Sequence, residues 1–263
     1  MTSSTPDYSL LDQVGADAAM FYPRPESYPP PEGATDLAIE VDASVHVGAR
    51  FYAFDRAFPT VLYFHGNGEI ASDHDDIALF YRDIGLNLFV AEFRGYGRSN
   101  GTPTVTALIG DAHPVATQFH ALLNRLDYAA ERFVMGRSLG AHPALELAAN
   151  HSARFRGLVI ESGAGNIRRM LERTGLLDTE LGGTLAAAHE TKVRSIAIPA
   201  LLIHGEQDEL VPVSTAHALS ALLEHSRHRL VTIPRAGHND LLWVGRDQYF
   251  EAIRDFVAET LAD

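Results

Sequence analysis

The segment that most constrains this chain is 133–140, Phe-Val-Met-Gly-Arg-Ser-Leu-Gly, which contains the pattern Gly-x-Ser-x-Gly. A strand-like apolar run precedes the pattern and a helix-like run follows it, and this is the context of a nucleophile elbow. Such a turn holds its central residue in a strained backbone conformation, while the two glycines let neighbouring main chain pass close. We therefore expect Ser138 to be a nucleophile above the end of a strand; the alternative is an ordinary turn serine.

A serine hydroxyl is a poor nucleophile at neutral pH, so it requires a base and a group that orients the base. The strand-like run 228–234 is followed by a loop that contains His238, and the apolar run 200–205 is followed by a loop that contains Asp208. We expect His238 to be the base and Asp208 the acid. The resulting order along the chain is nucleophile, acid, base, which differs from the orders of chymotrypsin and subtilisin.

The developing oxyanion needs hydrogen-bond donors, and a glycine-rich turn after a strand can supply one. The apolar run 60–64 is followed by His65-Gly66-Asn67-Gly68. We expect the backbone N–H groups of Asn67 and Leu139 to form the oxyanion hole. Since these donors belong to the main chain, the side chains at both positions are loosely constrained.

These motifs together resemble the α/β-hydrolase superfamily over roughly residues 45–260. The matching segments are His65–Gly68, Arg94–Ser99, Gly136–Gly140, His204–Asp208 and Gly237-His238. The residues that form these motifs most resemble those of the branch that includes mammalian depalmitoylating serine hydrolases. Those enzymes carry a lipidated N-terminal cysteine cluster, whereas this chain has no cysteine. The resemblance implies the α/β-hydrolase fold and a Ser138, Asp208, His238 triad.

Strand-like and helix-like segments alternate along the chain, which predicts a mostly parallel central sheet with helices on both faces. Residues 36–41 and 45–54 are expected to form two antiparallel strands, and 87–93 and 157–160 two further strands. The helical pattern covers 76–84, 104–126, 213–224 and 242–261. Ligands of such folds bind at the carboxyl ends of the strands, where the motifs above fall.

Two segments depart from the alternation. Residues 1–34 are rich in proline and tyrosine, and we expect an N-terminal arm packed on its own domain, with a proline-rich docking ligand as the alternative. The remainder, 35–263, is expected to form one α/β-hydrolase domain. Within it, about 163–197 is too long for a plain crossover, and its helix-prone segments 166–177 and 181–193 predict a small helical cap over Ser138.

The composition excludes several classes of protein. A formal net charge of −13 without a basic cluster disfavours nucleic acid as a partner. The absence of cysteine excludes disulfides and thiolate chemistry. Neither a signal-like start nor about 18 consecutive apolar residues is present, so we expect a cytoplasmic protein without integral membrane association. No cofactor or metal is expected, and the oligomeric state is left open.

Other polar residues near the motifs have alternative interpretations. Glu161, at the end of a strand, is the competing candidate for the acid, whereas Glu206 is expected to face another way. The dipole of a helix start accounts for the acidic group around His74 better than a metal site does. Ordinary packing is expected for Tyr96, and scaffold hydrogen bonds for His65, His204, His142, Asp111 and Arg98.

The function expected from these residues is hydrolysis of a small-molecule carboxylic ester or thioester through an acyl-enzyme. Acyl transfer to another acceptor and amide cleavage share that intermediate, so they remain alternatives. A third alternative is a non-catalytic ligand-binding protein on a hydrolase scaffold, although such proteins usually lose a triad member. Dehalogenase and epoxide hydrolase chemistry would require an aspartate at position 138.

Overall fold

The computed structural model describes residues 6–12 and 20–262. Eight strands form one sheet in the order β1-β2-β4-β3-β5-β6-β7-β8. Their bounds are β1 Ala34–Asp42, β2 Val45–Tyr52, β3 Thr60–Phe64, β4 Asn87–Ala91, β5 Arg132–Arg137, β6 Gly157–Glu161, β7 Ala200–Gly205 and β8 His228–Ile233. The pairs β1–β2 and β2–β4 are antiparallel, and every other pair is parallel.

Helices cover both faces of the sheet. Their bounds are α1 Ser9–Asp12, α2 Ala78–Asp83, α3 Val105–Gly110, α4 Ala112–Arg125, α5 Ala141–Asn150, α6 Arg168–Arg173, α7 Glu180–Arg194, α8 Ser214–Leu222, α9 Leu241–Val244 and α10 Arg246–Ala262. The central strand β3 is buried at every residue, with Leu62 and Phe64 in one core and Val61 and Tyr63 in the other. The predicted α/β-hydrolase architecture is confirmed.

Two predicted helices are each broken in the structure. The segment expected as one helix over 104–126 forms α3 and α4, with Asp111 between them. Pro114 lies in the first turn of α4, where its missing N–H is tolerated, but its ring would clash with the preceding turn of a continuous helix. The segment expected over 242–261 likewise divides into α9 and α10 around Gly245.

The N-terminal arm packs on the hydrolase domain over its described residues. The amide of Gly97 donates to the carbonyl of Arg24 at 2.7 Å, and the Arg24 guanidinium lies 2.8 Å from Asp73. Arg50, which is 2% exposed in its side chain, donates to the carbonyl of Tyr28 and pairs with Asp36. The parts of the predicted arm at 1–5 and 13–19 lie outside the described residues.

The long connection between β6 and β7 contains α6 and α7, which have different positions. Met170 of α6 borders the cleft above Ser138. By contrast, α7 packs against α5 and α8, and its residues Leu185 and Val193 are buried in the core. Of the predicted cap, α6 therefore lies at the cleft, while α7 is the crossover helix of the sheet. Within residues 6–12 and 20–262, no helix is both long and apolar enough to cross a bilayer.

Candidate active site

The turn after β5 holds Ser138 in a backbone conformation that side chains rarely adopt. Its φ is +52°, and a short 3-10 turn, Ser138–Gly140, leads from the strand into α5. A Cβ atom at Gly136 would lie 2.1 Å from the carbonyl oxygen of Gly140, and a Cβ atom at Gly140 would lie 2.1 Å from that of Phe64. Both glycines are therefore required by close main-chain approach, as the pattern predicts.

Ser138, His238 and Asp208 form a continuous line of hydrogen bonds. His238 Nδ1 lies 2.7 Å from Asp208 Oδ2, and His238 Nε2 lies 2.9 Å from Ser138 Oγ. Because a carboxylate only accepts, Nδ1 carries the proton of the neutral ring and Nε2 accepts from the serine hydroxyl. The three residues are contributed by the ends of β5, β7 and β8, so the sheet brings together positions that are far apart in the chain.

Asp208 is held as a carboxylate. Burial alone would raise its pKa, but hydrogen bonds from His204, His238 and the amide of Val211 outweigh burial and hold the pKa well below its usual range. The second oxygen, Oδ1, accepts from the amides of Leu210 and Val211 at 2.9 and 2.7 Å. His204 Nε2 also donates to the carbonyl of Val211 at 2.7 Å, so its predicted scaffold role fits its contacts.

Glu161, the competing candidate for the acid, makes other contacts. Its Oε1 accepts from Arg137 Nε at 3.1 Å, and its Oε2 accepts from the Tyr249 hydroxyl at 2.8 Å. Glu206 accepts from the hydroxyl of Thr232 at 2.9 Å. The imidazole of His238 is therefore bonded to Asp208 alone among the three carboxylates.

The turn after β3, residues 65–69, is the predicted oxyanion turn. It lies against the turn after β5 that contains Ser138. Gly68, with a φ of +80°, closes the turn, and the amide of Gly66 donates to Glu69 Oε2 at 2.8 Å. Among the described residues, the amides of Asn67 and Leu139 donate no hydrogen bond. Both N–H groups are therefore without an acceptor in this part of the chain, and their role as oxyanion donors stays a prediction.

His65 lies under this turn and is uncharged. Its side chain is fully buried, and its Nδ1 donates to the carbonyl of Gly66 at 2.7 Å. Burial lowers the pKa of His65 to about 4. The ring packs against Phe93 and Tyr96, with ring centroids 4.5 and 5.6 Å away. The predicted scaffold role of His65 agrees with these contacts.

Arg137, the residue before Ser138, connects the loops that carry the candidate site residues. Its guanidinium pairs with Glu69 of the oxyanion turn and with Glu161 of β6. It also donates to the carbonyl oxygen of His238 and to Asn239 Oδ1, both at 2.9 Å. Burial alone would lower the pKa of Arg137, but Glu69 and Glu161 hold it above its usual range. Sequence reasoning assigned no role to this residue.

The N-terminal arm contributes to the site, which sequence reasoning also missed. Met20 and Tyr22 line the cleft, and the Asn67 side chain joins them to the oxyanion turn. Asn67 Nδ2 donates to the carbonyl of Met20 at 2.7 Å, and its Oδ1 accepts from the amide of Tyr22 at 3.0 Å. The buried hydroxyl of Tyr96 donates to the same Oδ1 at 2.6 Å. The Asn67 side chain therefore anchors the arm, although only its amide was predicted to matter.

The cleft above Ser138 has a volume of about 790 Å³. Met170 of α6 and Val211 and Pro212 of the loop after β7 contribute apolar walls. The arginines of α6 lie at its edge, with Arg168 paired to Glu172 and Arg169 bonded to the carbonyl of Leu210. A cleft of this size can hold a small or medium-sized ligand.

His142 also lines the cleft, and the expectation of a scaffold hydrogen bond was wrong for it. The side chain lies on α5, one turn after Ser138, and the residue is 7% exposed. Its Nδ1 is buried, and among the described residues it has no hydrogen-bond partner. Two of the other residues given the same expectation do bond: Asp111 binds Arg94 at 2.7 Å, and the Arg98 amide donates to Glu92 at 2.8 Å.

The acidic residues around His74 form ion pairs with arginines of other segments. Asp73 pairs with Arg24, and Asp75 pairs with Arg50 at 2.8 Å. No group of three or more metal-ligating side chains occurs in the part of the chain that the structure describes.

Comparison with known proteins identifies related chains. Protein bem46 of Schizosaccharomyces pombe is 30% identical over 211 residues, which make up 76% of this chain and 68% of that protein. Alpha/beta hydrolase domain-containing protein 17B of Homo sapiens is 30% identical over 215 residues, or 78% of this chain and 68% of the human protein. Both similarities extend over most of each chain.

A solved structure with the same fold is the Pyrococcus furiosus esterase Pf2001. It superposes with a TM-score of 0.71 at 20% identity, covering 91% of this chain and 99% of that chain. The sequence profile of the family described as "Serine aminopeptidase, S33" matches residues 55–191, just over half of the chain. This chain is therefore an α/β-hydrolase and belongs to the serine aminopeptidase S33 family.

Proposed function

We propose that this protein is a serine esterase or thioesterase that cleaves small or medium acyl groups through an acyl-enzyme. The observation that carries the proposal is the line of hydrogen bonds from Ser138 Oγ through His238 to Asp208, at 2.9 and 2.7 Å, at the base of an open cleft. These distances lie within the range required for proton transfer from a nucleophile to a general base.

In the acylation step, Ser138 Oγ attacks the carbonyl carbon while its proton passes to His238 Nε2. Asp208 holds the ring in the tautomer with a proton on Nδ1 and stabilises the imidazolium that forms. The carbonyl oxygen becomes an oxyanion that accepts from the N–H groups of Asn67 and Leu139. When the tetrahedral intermediate collapses, the bond to the leaving group breaks and His238 gives its proton to that group.

In the deacylation step, a water molecule takes the place of the leaving group. His238 removes a proton from the water as its oxygen attacks the acyl carbon, and the proton then passes to Ser138 Oγ as the ester bond breaks. The products are a carboxylic acid and the regenerated serine. Each oxyanion donor contributes about 3 kcal/mol to stabilisation of the transition state.

A fluorophosphonate probe tests the nucleophile directly. We expect it to label the wild-type protein and to fail with Ser138→Ala. The matched control is Ser162→Ala, because Ser162 also has a positive φ, at +47°, but its side chain is fully buried. Labelling of Ser138→Ala, or its loss in a folded Ser162→Ala variant, would contradict the assignment.

A second set of variants tests the base and the acid. We expect His238→Ala and Asp208→Asn to abolish hydrolysis of p-nitrophenyl acetate while the proteins stay folded by circular dichroism. Glu161→Gln is the control, since Glu161 bonds to Arg137 and Tyr249 and not to the imidazole. Full activity of Asp208→Asn together with loss in Glu161→Gln would assign the acid to Glu161 instead.

The acyl group and the acceptor are identified by substrate panels. An ester series from acetate to palmitate reports the depth of the acyl pocket, and thioester and aminoacyl anilide substrates compare the leaving groups. Since acyl transfer uses the same intermediate, products are analysed in the presence of competing alcohols. Free acid as the dominant product supports hydrolysis, whereas dominant transfer to the alcohol assigns the protein as an acyltransferase.

A further inference from the structure

His142 is a polar side chain in the wall of the cleft that the proposed triad does not use. The residue is 7% exposed, and its Nδ1 lies buried without a partner among the described residues. A buried polar atom without a hydrogen bond costs about 1–3 kcal/mol, and such atoms in native proteins are rare. An apolar side chain at this position would avoid that cost, so the presence of histidine calls for a functional explanation.

The environment of His142 determines which atom can contact a ligand. His142 lines the cleft and its Nδ1 is fully buried, so Nε2 is the ring nitrogen that can meet a ligand there. A buried N–H without an acceptor is disfavoured more strongly than a buried lone pair. The proton of the neutral ring therefore belongs on Nε2, and His142 presents an N–H donor to the cleft.

The ring is also uncharged at neutral pH. Burial, together with the positive charge of Lys192, lowers the pKa of His142 to about 4. The neighbouring ring of His189, with its centroid 6.0 Å away, adds no charge because burial holds its pKa well below the usual value. A neutral donor matches a neutral oxygen, such as a hydroxyl or a carbonyl, better than it matches a carboxylate.

The position of His142 relative to Ser138 indicates which part of a substrate it would meet. Ser138 lies in the turn before α5, His142 is the second residue of that helix, and both line the same cleft. The leaving group must lie beside His238, which returns the proton to it, and the acyl chain extends away from His238. The acyl chain therefore occupies the cleft whose wall includes the His142 ring.

We propose that His142 is a specificity-determining residue that donates a hydrogen bond from Nε2 to an oxygen on the acyl chain, so that the substrates are short oxygenated acyl groups such as 3-hydroxyacyl esters. This inference rests on the proposed serine hydrolase function and adds the chemical class of its substrate. Binding then gives the Nε2–H group of His142 an acceptor inside the cleft.

The experiment compares p-nitrophenyl 3-hydroxybutyrate with p-nitrophenyl butyrate, which differ by one hydroxyl group. We expect the wild type to favour the hydroxylated ester in kcat/KM by about fivefold to tenfold, the contribution of one neutral hydrogen bond. His142→Leu should remove this preference while retaining hydrolysis of the butyrate ester, and His142→Gln, which keeps a side-chain donor, should restore part of it.

His120→Leu is the matched control. His120 is also 7% exposed and has a pKa lowered by burial to about 4, but it lies on α4 and bonds to Arg132 away from the cleft. We expect His120→Leu to keep the wild-type preference, and thermal unfolding to show that each variant is folded. Equal rates with the two esters in the wild type, or an unchanged preference in folded His142→Leu, would overturn the proposal.

A binding measurement separates this inference from the proposed function. In the Ser138→Ala background, 3-hydroxybutyramide and butyramide are titrated while the imidazole signals of His142 are followed by NMR. Tighter binding of the hydroxylated amide, with a shift of the Nε2 proton, supports the role of His142 even if neither ester is hydrolysed. Equal affinities without that shift overturn it even if Ser138 proves to be the nucleophile.

Discussion

The Arg137 guanidinium donates to the main-chain carbonyl of His238, with 2.9 Å between Nη2 and the oxygen. The same side chain pairs with Glu69 of the oxyanion turn and with Glu161 of β6. One cation therefore connects the segments that carry Ser138, His238 and Asn67, the proposed nucleophile, base and oxyanion donor. Because the cation is largely buried, its removal leaves the carboxylates of Glu69 and Glu161 without their counter-ion.

Arg137→Met is expected to destabilise the protein by about 3–5 kcal/mol, since the remaining buried charges are uncompensated. Arg137→Lys keeps the charge but loses the forked geometry, so kcat should fall about 10-fold to 100-fold with a smaller loss of stability. Urea unfolding and p-nitrophenyl acetate kinetics measure the two effects. Arg254→Met, at an exposed arginine of α10 that pairs with Asp255, is the control. Wild-type kinetics in Arg137→Lys would contradict a positioning role.

Tyr96→Phe tests the attachment of the N-terminal arm. The hydroxyl of Tyr96 donates to Asn67 Oδ1 and accepts from the amide of Tyr22 at 2.9 Å. Its removal leaves the Tyr22 amide with one partner fewer, which should cost about 1–2 kcal/mol of folding stability. Because the arm forms one wall of the cleft, KM should rise more than kcat falls. A fall in kcat with unchanged KM would show that the hydroxyl does not act through the arm.

Gly140→Ala should abolish activity. The added Cβ would lie 2.1 Å from the carbonyl oxygen of Phe64 and 2.7 Å from that of His65, and both carbonyls belong to rigid backbone. The elbow and the oxyanion turn would have to separate. Gly183→Ala in α7 is the control, since a Cβ there meets nothing within 4 Å. That substitution should raise the free energy of unfolding by about 0.5–1 kcal/mol. Retained activity in Gly140→Ala would show that the two turns can move apart without harm.

His65 should make folding stability depend on pH in the mildly acidic range. Its pKa in the folded protein is about 4 because of burial, whereas an unfolded histidine has a pKa near 6.5. Below pH 6.5 the unfolded chain therefore binds a proton that the folded protein does not, and stability falls as the pH decreases towards 4. At pH 5 this amounts to about 2 kcal/mol.

The measurement is the free energy of unfolding in urea at pH 7.5 and at pH 5. His65→Gln should be less stable than the wild type at pH 7.5, but its loss between the two values should be smaller by about 2 kcal/mol. His217→Gln, at an exposed histidine, should keep the wild-type dependence. An unchanged loss in His65→Gln would show that His65 is protonated in the folded protein.

Lys192 and Glu146 form a buried ion pair that should behave as a unit. Their charged atoms are 2.6 Å apart, and the side chains are 8% and 7% exposed. Lys192→Met should cost about 3–5 kcal/mol, because it leaves Glu146 buried without its main counter-ion. The double variant Lys192→Met with Glu146→Leu should regain much of that loss. Additive effects in a double-mutant cycle would show that the two charges are not coupled.

The elbow was predictable because its determinants are local. Gly136 and Gly140 are required by main-chain contacts within the turn and with the adjacent strand. The Gly-x-Ser-x-Gly pattern around Ser138 is therefore sufficient to predict the turn. The positions of Asp208 and His238 were predictable because each follows an apolar run, and parallel strands end at one edge of the sheet. That shared edge brings both side chains to Ser138.

The supporting contacts could not be predicted, because they join distant segments without any periodic pattern. Arg137 and His238 are 101 residues apart in sequence, and the bond from Asn67 to Met20 spans 47. No repeat or spacing distinguishes the arginine before Ser138 from an ordinary exposed one. The break between α3 and α4 is different, because Pro114 marks it in the sequence. The apolar spacing across 104–126 nevertheless led to the prediction of one continuous helix.

The position of Met20 and Tyr22 has a consequence for how selectivity could change. These residues belong to the segment before β1, outside the sheet that carries the proposed catalytic side chains, yet they form part of the cleft wall. Exchange of this leading segment for one of different length or bulk would reshape the substrate entrance and leave the chemistry intact. Ligand preference and reactivity can therefore be altered independently in this fold.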